Sequence, residues 1–336
     1  MIYVVIIYLW AALLLYLLLG GADFGAGIIE LFTSNRNKDK TSHTLYRAIG
    51  PVWEANHMWL IIVIVILFTG FPEIYSTVST YLHIPLAIML LGIIARGTAF
   101  AFRHYDAVHD DMQKVYNKIF RYSSFITPLF LGIIAGSAVG GKIDPQATNF
   151  RDAFIFSWLN FFSVSVGLFT VTICGYLAAL FTIGEAQTEA GRKRYIIKAR
   201  SMNLAAVFAG ALVFLAASVD HIPLSEWLFG NAIGILAILA AIISLLVQWY
   251  LVARGKIYII RVLAGFQIAM ILLATTYYHY PRIILLKGGG YLSLLEHHGN
   301  DPAIRALALA LLIGSLFILP ALLYLIYSFQ KRKAAV

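Results

Sequence analysis

What this sequence has little of narrows its function before any motif does. Cys174 is its only cysteine in 336 residues. A lone thiol closes no internal disulfide and excludes a multi-cysteine metal site or an iron-sulfur cluster, each of which takes several thiolates. Lying in an apolar run, Cys174 reads as a packed core residue and says nothing of redox compartment. Charge is scarce as well. Asp, Glu, Lys and Arg make up 12% of the chain, against 61% hydrophobic residues and a mean hydropathy of +0.83. That balance leaves no stretch polar enough for a soluble domain and far more apolar surface than one could hide. Acids are the scarcer sign, 16 against 25 bases, for a formal net charge of +9. An excess of that size can signal nucleic acid, but a membrane protein distributes its bases by topology, so their positions decide. The run Met1 to Leu19 has no basic leader and no small-residue cleavage site, so it is expected to stay as a first membrane helix.

What is present is a series of apolar runs of about 20 residues, each enough to cross a hydrocarbon core of about 30 Å. Hydropathy places nine spans, near residues 3–32, 50–70, 81–102, 119–140, 153–182, 201–219, 228–252, 258–280 and 305–328. The expected fold is therefore an all-α integral membrane protein, with residues 1–336 forming a single polytopic domain embedded in the lipid bilayer. Nineteen bases fall in the odd-numbered connections and the C-terminus, against five in the even-numbered ones, and Arg96 lies inside a span. The positive-inside rule then puts the N-terminus outside and the C-terminus in the cytoplasm, so the basic clusters follow topology and nucleic acid is not expected as a partner. The basic run Arg192 to Arg200 suits topology and anionic headgroups, and the mixed-sign stretch from Arg103 to Asp111 reads as a solvated face. Short connections such as 71–80 and 220–227 predict antiparallel neighbours. The outer stretch from Pro281 to Asp301 contains Gly288-Gly289-Gly290 and Glu296-His297-His298 and reads as a solvated loop with no fixed metal geometry.

Residues 50 to 60, Gly-Pro-Val-Trp-Glu-Ala-Asn-His-Met-Trp-Leu, carry a carboxylate into a membrane helix. Exposing a charge there to lipid costs about 2 to 4 kcal/mol, so Glu54, Asn56 and His57 must face protein, water or one another. In the first span Asp23 sits within a seam where Gly21 and Gly25, and Ala22 and Ala26, form pairs that let another helix come close. At 1.5 Å per residue, Asp23 lies roughly 15 Å, and Glu54 and Arg96 each roughly 10 Å, from the inner ends of their spans, so three ionisable groups share the inner half of the bilayer. Two readings stand. Arg96 can neutralise Asp23 or Glu54 as a polar pin, or the cluster can form a water-lined proton path in which a buried carboxyl passes protons singly. Glu54 is the better shuttle, with Asn56 and His57 close enough to orient water. A haem-ligand role for His57 is weaker than that of a hydrogen-bonded core residue. Trp10, Trp53 and Trp59 read as packing or interfacial aromatics, and Pro85 and Pro128 as helix starts or kinks.

Taken together, the chain resembles subunit II of the bacterial cytochrome bd quinol oxidases. The likeness rests on Gly-Ala-Asp-Phe-Gly-Ala-Gly at 21 to 27, the 50 to 60 stretch, Phe71-Pro72 with Tyr75, and Arg96 through Arg103, with a weaker signal at Tyr280-Pro281. It implies nine helices in two four-helix bundles plus one peripheral helix, paired with a larger, similarly built subunit I in the bacterial cytoplasmic membrane. The resemblance further implies a complex that oxidises a membrane quinol and reduces oxygen to water, electrogenically and without pumping; the isolated chain is expected to be inactive. Two haems b and one haem d are implied to be ligated by subunit I, while this chain closes the haem cluster and conducts protons from the cytoplasm. Glu54 matches the family's conducting acid, Asp23 its first-span acid and Arg96 its intramembrane arginine. Two positions depart: Gly20 stands where some relatives have a second acid, and His57 where Gln is frequent. The resemblance leaves open a small single-helix third subunit, a structural quinone between helices and the identity of the quinol. Two other classes compete, a proton-coupled transporter and a purely structural partner subunit. The transporter would want interrupted helices in both halves, whereas the embedded charges here crowd into the first three spans.

Overall fold

The computed structural model describes residues 1–34, 37–49, 53–105, 112–186, 188–255 and 257–334. Arg36, Gly50, Pro51, Val52, Lys256 and the stretch 106–111, with its His109-Asp110-Asp111, lie outside the described residues, and so does the side chain of Glu54.

Helix α1 (Ile2–Leu15) continues through one π turn, Tyr16–Gly20, into α2 (Gly21–Leu31). Apolar side chains all round suit a helix with lipid on one side and protein on the other. The polar helix α3 (Lys38–Ile49) leads to α4 (Trp53–Gly70), after which the chain turns by 115° into α5 (Pro72–Tyr81). The turn has a local cause. Phe71 leaves helical geometry at φ −137°, and Pro72 opens the next helix at a position where no amide hydrogen is needed. Next come α6 (His83–Tyr105), α7 (Met112–Val139, with Pro128 inside), the short α8 (Phe150–Phe154), α9 (Phe161–Ile183) and α10 (Glu189–Val219). The chain ends with α11 (Leu224–Phe229), α12 (Ala232–Arg254), α13 (Ile257–Tyr277), a hairpin of β1 (Arg282–Leu285) and β2 (Tyr291–Ser293), and α14 (Asp301–Ala334). Among the described residues, eight helices are long and apolar enough to cross a membrane, and nine spans result if the bent α4–α5 pair is one.

Three of the long helices start in the same way. Asn160, Thr188 and Asn231 each accept, through the side-chain oxygen, the amide hydrogen three residues on, at the heads of α9, α10 and α12. Helix α9 is central and packs against α2, α7 and α10. Its contact with α2 is set by glycine: a Cβ added at Gly25 would stand 1.9 Å from the Cys174 carbonyl oxygen. The small-residue seam expected around Asp23 is thus the face laid on α9, and Cys174 is buried there, 1% exposed. Helices α2 and α6 each pack on α7, yet their own backbones do not approach closely.

One feature adds to the expectations and one departs from them. The basic run Arg192 to Arg200 belongs to α10, because Lys and Arg are good helix formers and carry the helix beyond its apolar section. The stretch after Pro281 is solvated at residues 287–290 and at Glu296, as expected there, but it is an ordered hairpin and not a loose loop. Gly288 and Gly289, at φ +84° and +88°, turn the chain between β1 and β2, and Ile284, Leu292 and Leu294 are buried in the core shared with α1, α4 and α7. Lys287 fastens the hairpin, donating its amide to Ile143 O at 2.8 Å and its ammonium to Asp144 Oδ2 at 2.9 Å. Within that stretch the Ser293 amide donates to His297 Nδ1, and His298 Nδ1 bonds the Gly299 carbonyl. Close by, the His279 ring sits edge-on to Trp227 with centroids 4.3 Å apart, and burial pushes its pKa down to about 4.

Candidate functional site

Helix α2 brings Asp23 into the interior, 1% exposed, where its carboxylate oxygen Oδ2 accepts a 2.8 Å hydrogen bond from Asn56 Nδ2 on α4. The main-chain carbonyl of Asp23 accepts a second bond, 2.8 Å, from Arg96 Nη2 on α6. Arg96 is itself 1% exposed and donates Nε to Ser124 Oγ on α7 at 3.1 Å, while its Nη1 lies 3.5 Å from His57 Nε2. Its guanidinium also rests on the Phe24 and Phe120 rings, 5.2 Å from each centroid. A cation so far from water is tolerable only because almost every donor has an acceptor or a ring face. The polar-pin reading, one of the two left open by the sequence, has Arg96 neutralise Asp23 or Glu54. Here the contact runs through the Asp23 main chain, and the carboxylate is held by a neutral amide.

His57 turns Nε2 toward Arg96, and its Nδ1 is buried with no partner among the described residues. Trp53 lies tilted against Phe100, 4.9 Å between centroids and 45° between planes, and beside Gly97, so it packs α4 against α6 as expected of an aromatic in that place. Glu54 occupies the second position of α4; its side chain is outside the described residues. Of the six residues that the sequence singled out, the structure therefore brings Asp23, Asn56, His57 and Arg96 into one hydrogen-bonded group and sets Trp53 on its edge.

Sequence reasoning passed over a second charged level. Glu30, 3% exposed, accepts from Arg103 Nη2 on both carboxylate oxygens at 3.0 Å. The same nitrogen donates to Ser42 Oγ of α3, and Arg121 Nε of α7 lies 4.0 Å from Glu30 Oε1. Arg103 belongs to this buried group and not to a solvated face, its side chain being 8% exposed. Glu30 closes an apolar run, which hid it; its spacing of seven from Asp23, matched by that of Arg103 from Arg96, is the signal that would have found it.

Two cavities meet at this level. A cleft of about 950 Å³ is lined by Lys38, Lys118 and Arg121 together with Glu30, Ser42 and Arg103. Behind it a cavity of about 10 Å³, room for about one water, is lined by Glu30, Ser42, Arg103, Phe120 and Arg96. The two share Glu30, Ser42 and Arg103, and the inner one, walled also by Ala26, Leu45, Phe100 and Phe120, reaches the Arg96 guanidinium. No group of three or more His, Cys, Asp or Glu in metal-binding proximity occurs among the described residues.

A family model described as cytochrome bd terminal oxidase subunit II matches residues 1–329. The chain is 25% identical over 335 residues to a Bacillus subtilis protein named cytochrome bd ubiquinol oxidase subunit 2, covering 96% of each. It is 24% identical over 231 residues to the Escherichia coli protein named cytochrome bd-I ubiquinol oxidase subunit 2, covering 65% of this chain and 59% of that one. In fold it is similar to a chain of the bd oxidase from Geobacillus thermodenitrificans, with a TM-score of 0.76 and 22% identity over 97% of this chain and 98% of that one.

Proposed function

The chain belongs to the cytochrome bd terminal oxidase subunit II family, and from that premise we propose that it admits protons from the cytoplasm to the oxygen-reducing centre and closes the haem cluster held by its partner. The family makes it a multi-pass subunit of a membrane oxidoreductase, a terminal quinol oxidase with a subunit I partner and haem in the assembled complex. On this reading the bent α4–α5 pair counts as one of nine spans in two four-helix bundles plus a peripheral helix. The basic end faces the cytoplasm, and the path runs through Glu54 and Asp23.

One observation carries the uptake role: the Asn56–Asp23 hydrogen bond joins the Trp53–His57 motif to a buried acid beside an intramembrane arginine. A carboxylate held by an amide can take a proton and release it without breaking an ion pair, which suits a relay better than a fixed pin. Haem supplies the oxygen chemistry when bound, and the reading assigns two haems b and one haem d to subunit I. On this reading His57 is a buried core residue whose Nε2 lies 3.5 Å from Arg96 Nη1, and no haem ligand is assigned to this chain. What Asp23, Asn56 and Arg96 contribute is to hold and pass a proton where bulk water is excluded. Family membership favours this over a proton-coupled transporter.

The test uses the complex purified with its co-expressed partner. A reduced-minus-oxidised visible spectrum with a haem d band is expected. Glu54→Gln and Asp23→Asn are each expected to lower quinol oxidase turnover about tenfold or more with haem content retained. Parent-like turnover in both removes the uptake role.

A further inference from the structure

Glu30 stands where the two cavities join, lining both. It follows Asp23 by seven residues on α2, as Arg103 follows Arg96 on α6. Seven residues are nearly two turns, so each pair shares a helix face with a rise of about 10.5 Å. Both arginine contacts to α2 span the same 73 positions. Helices α2 and α6 therefore run side by side in the same direction and carry two charged levels, one at the cleft and one deeper. Because their backbones keep apart, the space between the levels is left to side chains, Phe120 of α7 among them, around the cavity of about 10 Å³. Helical side chains lean toward the N-terminus, so Glu30 leans from the cleft toward the level of Asp23.

We propose that Glu30 is a further proton-transfer residue of this subunit, the first buried acceptor between the basic-end cleft and Asp23, with Arg103 as its positioning residue. The inference rests on the proton-uptake reading above and extends it by one station. A hydrated proton arriving in the cleft protonates a Glu30 carboxylate oxygen and leaves neutral water behind, and the neutral acid passes the proton on, through the water in the cavity below Arg96, to the Asp23 carboxylate. One O–H bond forms and one breaks at each transfer, and the carboxylate returns to its starting charge. Arg103 is not stranded while the acid is neutral. Its Nη2 keeps Ser42, and its guanidinium keeps the Phe120 ring, 5.1 Å from the centroid. Phe120 touches Arg96 in the same way, so this one ring borders both levels and leaves the cavity room for about one water. Such a neck passes protons by hand-over and not by an open water column.

The competing account is a fixed ion pair that only joins α2 to α6, and the experiment separates the two. Assembled oxidase carrying Glu30→Gln, Glu30→Asp or the charge-neutral pair Glu30→Gln with Arg103→Gln is compared with the parent. Haem content, the rate of haem reduction by quinol, and proton uptake followed with a pH-indicator dye after an oxygen pulse are measured. Both glutamine variants are expected to slow proton uptake about tenfold or more with haem content and haem reduction unchanged, and Glu30→Asp to restore much of the rate. The double variant leaves no unpaired buried guanidinium, so it separates a lost relay from a lost ion pair. Parent-like uptake in either glutamine variant overturns the proposal. In the unaltered complex a hydrophobic carbodiimide is expected to label Glu30 and slow uptake in parallel; absence of label at Glu30 also overturns it, whatever the variants' folding. Slow uptake in Glu54→Gln beside normal uptake in Glu30→Gln removes Glu30 alone, whereas normal uptake in both removes the reading on which it rests.

Discussion

A Cβ at Gly25 would meet the Cys174 carbonyl oxygen at 1.9 Å and the Ala178 methyl at 2.6 Å, while one at Gly21 would meet the Cys174 sulfur at 3.4 Å. Only the first contact involves rigid backbone. Gly25→Ala is accordingly expected to destabilise the subunit by about 3 kcal/mol or more, by forcing α2 from α9. Gly21→Ala is expected to be nearly neutral, and thermal unfolding of the purified complex compares the two. At this scale much of the site was legible. Asp23, Asn56 and Arg96 announced themselves because a polar group in an apolar run has to find a partner. Glu30 did not, since it follows Ile28 and Ile29 at the end of the same run and looks like the place where the membrane stops. Its partner Arg103 was masked by the mixed charges that follow it in sequence. Nor does hydropathy say which atom a buried arginine reaches, and the Asp23 carbonyl as acceptor for Arg96 followed only from the register of α2 against α6.

Among the elements, spans were easy to find and their ends were not. Apolar windows located the long helices, but α10 begins at Glu189 and α7 at Met112, well before their apolar sections, because charged residues prolong a helix into the headgroup region. The hairpin went unread for a related reason. Three consecutive glycines suggest slack, yet here two of them supply the left-handed residues of a turn between short apolar strands. The contact of that region with α11 is expected to be acid-sensitive. Buried His279 stays neutral down to about pH 4, whereas in the unfolded chain it protonates near pH 6.5. The folded state refuses a proton that the unfolded state accepts, so the stabilisation is complete above about pH 6.5 and lost as pH falls from there toward 4. His279→Phe, which keeps an aromatic edge against Trp227, should flatten the dependence of melting temperature on pH across that window. A slope equal to the parent's would assign the acid sensitivity to other groups.

Across the whole molecule the chemistry is lopsided. Both charged levels lie on α2 and α6, while the later helices hold their buried polar groups as local links, such as the 2.6 Å bond from Tyr176 OH to Gln248 Oε1 that ties α9 to α12. Tyr176→Phe is expected to cost about 1 kcal/mol of stability and to leave turnover at the parent value; a large loss of turnover would mean that the second half of the chain takes part in proton delivery. The two levels also have an electrical meaning. Their separation of about 10.5 Å is about a third of a 30 Å hydrocarbon core, so a proton moving between them crosses about a third of the transmembrane voltage. At 100 mV that is work of about 0.8 kcal/mol, enough to change the rate of the step about fourfold with polarity. Respiration would then be throttled by the very potential it builds, at the spacing of seven residues on two helices.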